Sequence, residues 1–573
     1  MITQVHVKSY KLFENQKFDL GQHVVLAGPN NSGKTTLLQA IAVWNMALQK
    51  WKAERGPDTT SKARQRTGVP ITRKDFTAIP LRELKQLWTN ASTALKRDEL
   101  DEGQRPGQPR VLEITLCGRE ENDNPWKLTF EFHYQNSELI YVKPPVAQID
   151  NIPSAALNLS VVHVPPFSGI GVEETRYDHP YQDLLIGQGK PGDILRNLLL
   201  EVYQKEDKND WEDLCSRVEE IFGYRLLPPE YEGRPFINCE YIRGLPQGRG
   251  KDGLPILDIS SAGSGFHQVL LLLGFFYARP ATILLLDEPD AHLHVILQRQ
   301  IYNQLQNIAF ERKCQLIIAT HSEIIIEDTS PDRILSFYRQ PHLLIADTER
   351  DQVREALKRL TAMDILLAEL SKGVLYLEGE TDFNLLRTWA KILHHPAYRF
   401  FVETPFWHSN QGSHPREARA HFFALRAIKP SIPGYLLLDG DDRNLPDREV
   451  IAEGLAIGRW TRYEAENYLI HPSTLFRFVE AQNGPLFASA GDTFLRDELL
   501  PGEVYRNPLD QHEYLNNTPA SKAILPRFFQ KTQVDLKKNE YYRVAEQMRP
   551  EESATDVKVK LDEIARVFGY LTG

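Results

Sequence analysis

Four short stretches of the chain carry residue types whose spacing suits chemistry on a phosphate. In the first, apolar VVLA leads into Gly28-Pro29-Asn30-Asn31-Ser32-Gly33-Lys34-Thr35-Thr36 and then a helix-forming run. This fits GxxxxGK[ST], a Gly-rich turn whose N–H groups converge on one phosphate at a helix N-terminus. Asn30, Asn31, Ser32, Gly33 and Thr36 are then nucleotide-contacting positions. Lys34 supplies a point charge to the β- and γ-phosphates, and Thr35 a hydroxyl to Mg2+. In the second, ATILLLDEPDAHLH is an apolar strand ending in Asp287-Glu288. Asp287 suits a water-mediated hold on Mg2+, and Glu288 suits activation of the attacking water. QLIIATHSE ends another buried strand in Thr320-His321, where a neutral imidazole reaches a γ-phosphate. In ISSAGSG, Ser261 and Gly263 open a helix and present a hydroxyl and N–H groups. Taken singly, each stretch has a bland explanation: a chance glycine turn, a structural histidine, an ordinary N-cap. Their order along the chain is the stronger signal.

A second set of carboxylates lies further on. GVLYLEGETD places Glu378, Glu380 and Asp382 after an apolar strand, and PGYLLLDGDD places Asp439, Asp441 and Asp442 after another. Two neighbouring parallel strands bring Glu378 and the Asp439/Asp441 pair to one C-terminal sheet edge. Clustered carboxylates repel unless a cation sits among them. Hard oxygen ligands favour Mg2+ or Mn2+, and two such ions activate water and stabilise a leaving oxygen. The ordinary alternative is a pair of acidic turns capping helices.

These residues need a large α/β frame. At roughly 100–200 residues per domain, 573 residues correspond to about three to five domains. Hydrophobic residues at 42% supply material for more than one core. With 67 Lys+Arg against 77 Asp+Glu the net charge is −10, which excludes a basic coat or histone-like protein; nucleic acid then needs a local basic groove. The four cysteines are scattered, with no CxxC pair, which argues against a zinc site or a disulfide framework. The N-terminal residues lack a signal-peptide pattern, and the longest apolar run, Val269 to Ala278, is too short to span a bilayer. The expected setting is soluble, reducing and cytoplasmic, with no membrane partner.

Alternation predicts strands at VHVKSYKLF, VVLAG, VLEITLCG, WKLTFEFHY and LSVVHVPP. Residues 46–107 read as a charged helical surface insertion and 194–222 as a second helical insertion. LPQGRGKDG is a Gly-rich loop. A head over 1–345, a polar connector over 346–372, a second α/β domain over 373–530 and a helical tail over 531–573 complete the division. No heptad run is present.

Loop, Gly/Ser-rich helix start, DEP strand and THS strand, in that order, resemble the ABC-type ATPase head over residues 1–345. SAGSG departs from the usual LSGGQ signature, and the family's Gln loop has no evident match. The resemblance implies that ATP is held between two heads, with Ser261 and Gly263 of one facing the Lys34 loop of the other. Transporter heads need a membrane partner. Recombination and condensin heads carry hundreds of residues of coiled coil, absent here. DEPDAHLH is instead similar to the repair and phage-defence branch. Glu378 followed by DxD resembles a TOPRIM domain over residues 373–530. An ABC head fused to TOPRIM is the layout of the overcoming-lysogenization-defect family of ATPase–nucleases, which includes the Gabija ATPase–nuclease; the acidic cluster is also similar to the effector of the PARIS system. The resemblance implies an ATP-regulated, Mg2+- or Mn2+-dependent nuclease of bacterial anti-phage defence, acting on DNA or tRNA as a homodimer or larger assembly, alone or with a defence partner subunit. It further makes Glu466, in RWTRYEAENYL beside Arg459, Arg462 and Glu464, a metal-ligand candidate, and Lys522 a basic residue for the scissile phosphate. A solvated acidic helix face and a plain surface lysine are the competing explanations. An ATPase sensor with a non-catalytic TOPRIM-like module, or a DNA-repair ATPase clamp, are the alternative functions.

Overall fold

The computed structural model describes residues 1–55, 67–77, 79–97, 105–120, 122–244, 255–410, 415–441 and 453–571. The chain divides into two compact units, Met1–Leu357 and Lys358–Gly573. The connector is thereby shared: helix Asp347–Arg359 straddles the boundary and helix Ala362–Leu370 lies in the second unit.

The first unit is built on two six-stranded sheets. One is antiparallel, formed by Phe13–Asp19 (β2), Ile2–Tyr10 (β1), Leu112–Arg119 (β5), Pro125–Asn136 (β6), Leu139–Lys143 (β7) and Val69–Thr72 (β4), in that spatial order. The other is parallel save for one edge: His342–Leu343 (β15), Ile334–Ser336 (β14), His23–Ala27 (β3), Gln315–Thr320 (β13), Ile283–Asp287 (β12) and Val161–Val164 (β8). Strands β3, β12 and β13 are uninterrupted apolar runs, as expected where helices cover both faces. Helix Lys34–Arg55 packs against both sheets. It is buried through Leu37, Leu38, Ile41, Trp44, Leu48 and Trp51, a helix apolar almost all round because it has a sheet on each side. A small antiparallel sheet, Tyr224–Leu226 (β9), Glu240–Arg243 (β10) and Ile256–Asp258 (β11), lies beside helices Leu195–Gln204, Asn209–Phe222 and Ser264–Ala278. The 194–222 insertion is thus two helices, the second ended by Gly223 at φ 67, a left-handed cap that glycine adopts without strain. The LPQGRGKDG loop, residues 245–253, lies outside the described residues.

Two expectations need correction. The 46–107 stretch is not a helical surface insertion. Its first ten residues finish helix Lys34–Arg55, VPIT pairs with β7 as β4, and Leu84, Leu87 and Trp88 are fully buried in the main core. Charged residues between these anchors disguised them. Likewise 531–573 is no separate tail. Tyr541, Val544, Leu561 and Ile564 share one core with the second unit's strands, so the chain closes its own domain.

That second unit holds a four-stranded, all-parallel sheet: Trp407–Ser409 (β17), Val374–Leu377 (β16), Gly434–Leu438 (β18) and Leu455–Arg459 (β19). Among the described residues no helix is long and apolar enough to cross a membrane.

One buried side chain ties the first unit's sheets together. Gln315, at the start of β13, accepts from Ile2 N–H at 2.8 Å and donates to Ile2 C=O and Gly21 C=O at 2.7 Å each. Gln315→Leu keeps the volume and strands these backbone groups, at about 1–3 kcal/mol for each fully buried one. The first unit's denaturant midpoint should fall by an amount equivalent to about 2–4 kcal/mol; an unchanged midpoint would refute the tie.

Candidate functional site

Strand β3 delivers the Gly-rich loop to the N-terminus of helix Lys34–Arg55. The loop fits only as glycine at two points. A Cβ on Gly28 would lie 2.7 Å from Phe337 Cβ, and Gly33 sits at φ +107 with Phe13 2.6 Å from where its Cβ would be. Asn31 also takes a left-handed conformation, at φ 62. Asn30, Asn31 and Thr35 are exposed, Ser32 and Thr36 half-buried, and Ser32 Oγ is a buried hydroxyl with no partner among the described residues. Lys34 is buried, and its Nζ donates to the carbonyls of Gly28 at 2.7 Å and Pro29 at 2.9 Å. Burial lowers its pKa to about 8, against the pull of Glu288 and Asp287.

The other chemistry-bearing residues meet it because β13 lies between β3 and β12, in register. Thr35 Oγ1 donates to Asp287 Oδ1 at 3.0 Å. Burial pushes the Asp287 carboxyl up to about 6, opposed by that hydrogen bond. Glu288 follows at φ 52, its N–H bonded to Ala319 C=O at 2.9 Å. Its carboxylate lies 3.4 Å from His321 Nε2, and this contact holds its pKa below the ordinary value. A non-glycine residue at positive φ stores strain, and Asn31, Glu288 and His292 (φ 64) all do so around this loop.

Sequence reasoning missed Asp290. It is largely buried, its pKa raised by burial, and accepts from Thr320 Oγ1 at 2.6 Å, linking the DEPD turn to the THS strand end. The paired placement of a threonine and an acid after adjacent strands was the available signal. Ser261 and Gly263 lie on an exposed turn, with Ser261 Oγ donating to Asp258 C=O at 2.7 Å and open space around Gly263. Below it, Arg196 is buried and forms a fork to Asp258, at 2.9 and 2.8 Å.

In the second unit β16 and β18 are adjacent and parallel, and Glu378 and Asp439 follow their C-terminal ends. A hydrogen bond with Glu378 adds to burial in holding the Asp439 carboxyl far above its usual range. Asp382 is buried, accepts from Gly379 N–H at 3.1 Å, and is pushed up to about 7 by burial and then by the Glu466 charge. Glu466 is 2% exposed, its pKa raised by burial and Glu464. Glu380 and Asp441 are exposed, and Asp442 lies outside the described residues. Among the described residues no three His, Cys, Asp or Glu side chains are already disposed to hold a metal ion. Of the expected six-carboxylate ligand set, Glu378, Asp382, Asp439 and Glu466 are neighbours, with Glu378, like Glu380 and Asp441, exposed.

The cation among these acids is Lys538, whose Nζ lies 3.1 Å from Glu466 Oε1. Nothing in its local spacing announces it. Lys522 is exposed; its neighbour Ser521 donates from Oγ to Glu464 at 3.0 Å. Arg462 is buried and structural, donating to the carbonyls of Asn467, Pro508 and Asp510, and Arg459 donates to Asp439 C=O at 3.0 Å.

A family model described as an AAA domain matches residues 4–67, and one described as "AAA domain, putative AbiEii toxin, Type IV TA system" matches residues 247–327. These ranges carry the Lys34 loop and the Ser261, Asp287 and His321 stretches. Among solved structures, the SMC head domain from Thermotoga maritima is 13% identical, covering 58% of this chain and 94% of that one, with a TM-score of 0.29. The Smc head of Pyrococcus furiosus bound to the C-terminal domain of ScpA is 15% identical, covering 59% and 93%, with a TM-score of 0.34. The Smc head of Pyrococcus yayanosii is 10% identical, covering 62% and 99%, also at 0.34. No curated protein matches. The first unit is an α/β phosphate-loop ATPase head that matches AAA-domain models over these two stretches.

Lys34→Ala should abolish nucleotide binding in a fluorescent-nucleotide titration. Glu288→Gln should still bind and turn ATP over about 10²–10⁴-fold more slowly. Parental turnover by Glu288→Gln would remove Glu288 from its role.

Proposed function

We propose that the chain is an ATP-regulated, metal-dependent nuclease of bacterial anti-phage defence. In this reading the first unit binds and hydrolyses ATP and the second cleaves a phosphodiester backbone. The observation that carries the first half is the Thr35–Asp287 hydrogen bond beside Lys34 and the Glu288–His321 pair. A Mg2+ ion would be held by Thr35 and, through water, Asp287, neutralising charge on the phosphates. The hydroxyl and carboxylate already share one point, which fits such an ion. Lys34 draws the β/γ-phosphates into the loop, Glu288 takes the proton of the attacking water, and His321 orients Glu288.

The second half rests on the Glu378–Asp439 contact at neighbouring strand ends and on the resemblance of these motifs to TOPRIM. Glu466 is buried beside Asp382, and an all-oxygen set fits a hard divalent cation. Mg2+ or Mn2+ at Glu378, Asp382, Asp439 and Glu466 would activate water for attack on phosphorus. A specific observation favours the alternative, an ATPase sensor with a non-catalytic second unit: the carboxylates are not preformed as ligands and Lys538 already partners Glu466.

Cleavage assays decide between the two. Glu378→Ala and Asp439→Ala should each abolish nicking in Mg2+ or Mn2+ while ATP turnover stays at the parental rate. Relief of like-charge repulsion should leave the melting temperature unchanged or slightly raised. A parent that cuts no duplex, single strand or tRNA with either metal would establish the sensor reading.

The exposed Ser261 turn supports a composite site between two heads. Mixing Ser261→Arg with Lys34→Ala chains, each inactive alone, should then restore roughly one working ATP site per mixed dimer. No recovery of ATPase activity on mixing would sink the composite site.

A further inference from the structure

From Pro519 to Lys538 the chain carries five cations, Lys522, Arg527, Lys531, Lys537 and Lys538, against the single acid Asp535. This is a sharp local reversal in a chain of net charge −10. All five cationic residues are exposed. Several basic residues of the second unit sit on carboxylates: Arg399 on Glu403, Arg477 on Glu552, Arg496 on Asp497 and the buried Lys560 on Glu563. Here Lys538 alone has such a partner among the described residues, and that partner is Glu466.

Geometry gathers the rest. Arg527 and Lys531 are four apart on helix Leu525–Lys531 and both lie over the Phe494 ring, at 6.0 and 5.4 Å from its centroid, so they share a face. Lys522 is on the preceding π-helical turn Ala520–Ile524, about one turn before Arg527. Both ends of the segment are tied to the same short turn, Ala465–Leu469 and its N-cap Glu464. Ser521 bonds Glu464, Ala520 N–H bonds Asn467 Oδ1 at 3.2 Å, and Lys538 meets Glu466. The stretch leading into that turn also holds the Asp439 strand end, since Arg459 donates to Asp439 C=O at 3.0 Å and Gly440 N–H donates to Tyr463 C=O at 2.9 Å. The cationic strip therefore starts and finishes beside the carboxylate cluster.

Unpaired, evenly spread cations next to an acidic centre suit a ligand that is a repeating polyanion and must pass that centre. We propose that Lys522, Arg527, Lys531 and Lys537 form a track for the phosphodiester backbone of a nucleic acid, leading it to the Glu378–Asp439 carboxylates. This deepens the nuclease reading of the second unit and rests on it for the destination of the strand. The contacts are with phosphates, so they position without selecting sequence.

The test measures binding apart from cleavage. Anisotropy titrations of the full chain in EDTA, over a range of salt, use a labelled duplex DNA, a single-stranded DNA and an RNA hairpin. Each lost phosphate contact removes about 0.9 from the slope of log K against log salt for duplex DNA. The triple variant Arg527→Glu, Lys531→Glu, Lys537→Glu should bind more weakly, with a slope shallower by about 2–3. Arg527→Gln, Lys531→Gln, Lys537→Gln keeps aliphatic contact with Phe494 and should flatten the slope alike, excluding misfolding as the cause. The three probes report whether duplex, single strand or RNA fits best. Parental affinity and slope in both variants, or no binding of any probe by the parent, overturns the track. Binding without cleavage in Mg2+ or Mn2+ ends the nuclease reading and leaves the track standing. Cleavage by the triple variants at parental KM does the reverse.

Discussion

The hydrogen bond from Thr35 to Asp287 joins residues 252 apart in sequence, and the first unit's chemistry depends on the constraint that makes it possible. Three parallel strands must end at one level. The register does this: Ala27 of β3 lies opposite Thr320 of β13, and Ala319 opposite Asp287 of β12. A one-residue slip of a strand would turn its buried face outward and move the acid from the loop. The register is enforced by burial on both faces, since between their polar end residues β3, β12 and β13 carry only apolar side chains. Burial has a further consequence. It pushes Asp287 up to about 6 and Lys34 down to about 8, so burial disfavours the charge of each. A divalent cation beside the carboxylate and a polyphosphate beside the ammonium would relieve both penalties together.

The second unit obeys the same geometric rule with a different electrostatic outcome. There, neighbouring parallel strand ends bring like charges together, and the response is a hydrogen bond between two carboxyl groups and raised pKa values at Asp382, Asp439 and Glu466. The head places a lysine and a hydroxyl among its acids. The second unit places one lysine at the rim of its four, against Glu466. A centre so under-compensated holds protons or recruits cations, and that is the physical link between the cluster and any metal-dependent activity.

What was legible in the sequence follows from the range of the interaction. The Lys34 loop, the Asp287-Glu288 strand end and Thr320-His321 are each written within a few residues, because strand, turn and helix start are local. Their order then implied the parallel sheet. Glu378 and Asp439 were legible for the same reason. Lys538 was not: its contact with Glu466 joins residues 72 apart and has no fixed spacing. The 46–107 stretch misled because its buried residues, Leu84, Leu87 and Trp88, sit on short 3-10 turns among exposed polar neighbours such as Lys85 and Gln86. The final 43 residues misled because mixed polarity hid Val557, Leu561 and Ile564, which complete a core begun by β16 and β18.

Gly440 shows how tightly the second unit's acids are bound to one stretch of backbone. A Cβ there would lie 2.1 Å from Arg462 C=O and 2.7 Å from Trp460 C=O, so no other residue fits between Asp439 and Asp441. Its N–H bonds Tyr463 C=O at 2.9 Å, and Arg459 grips Asp439 C=O. The DGD turn is thus held by residues 459–463. That segment continues directly into Glu464 and Glu466, which meet Ser521 and Lys538. Arg462 anchors it from beneath through three backbone carbonyls. The Asp439 strand end, the Glu464–Glu466 turn and the cationic segment beside them are therefore fastened to one stretch of backbone. A cation drawing Asp439 and Glu466 closer together would have to move that stretch, and with it the ties at both ends of 520–538.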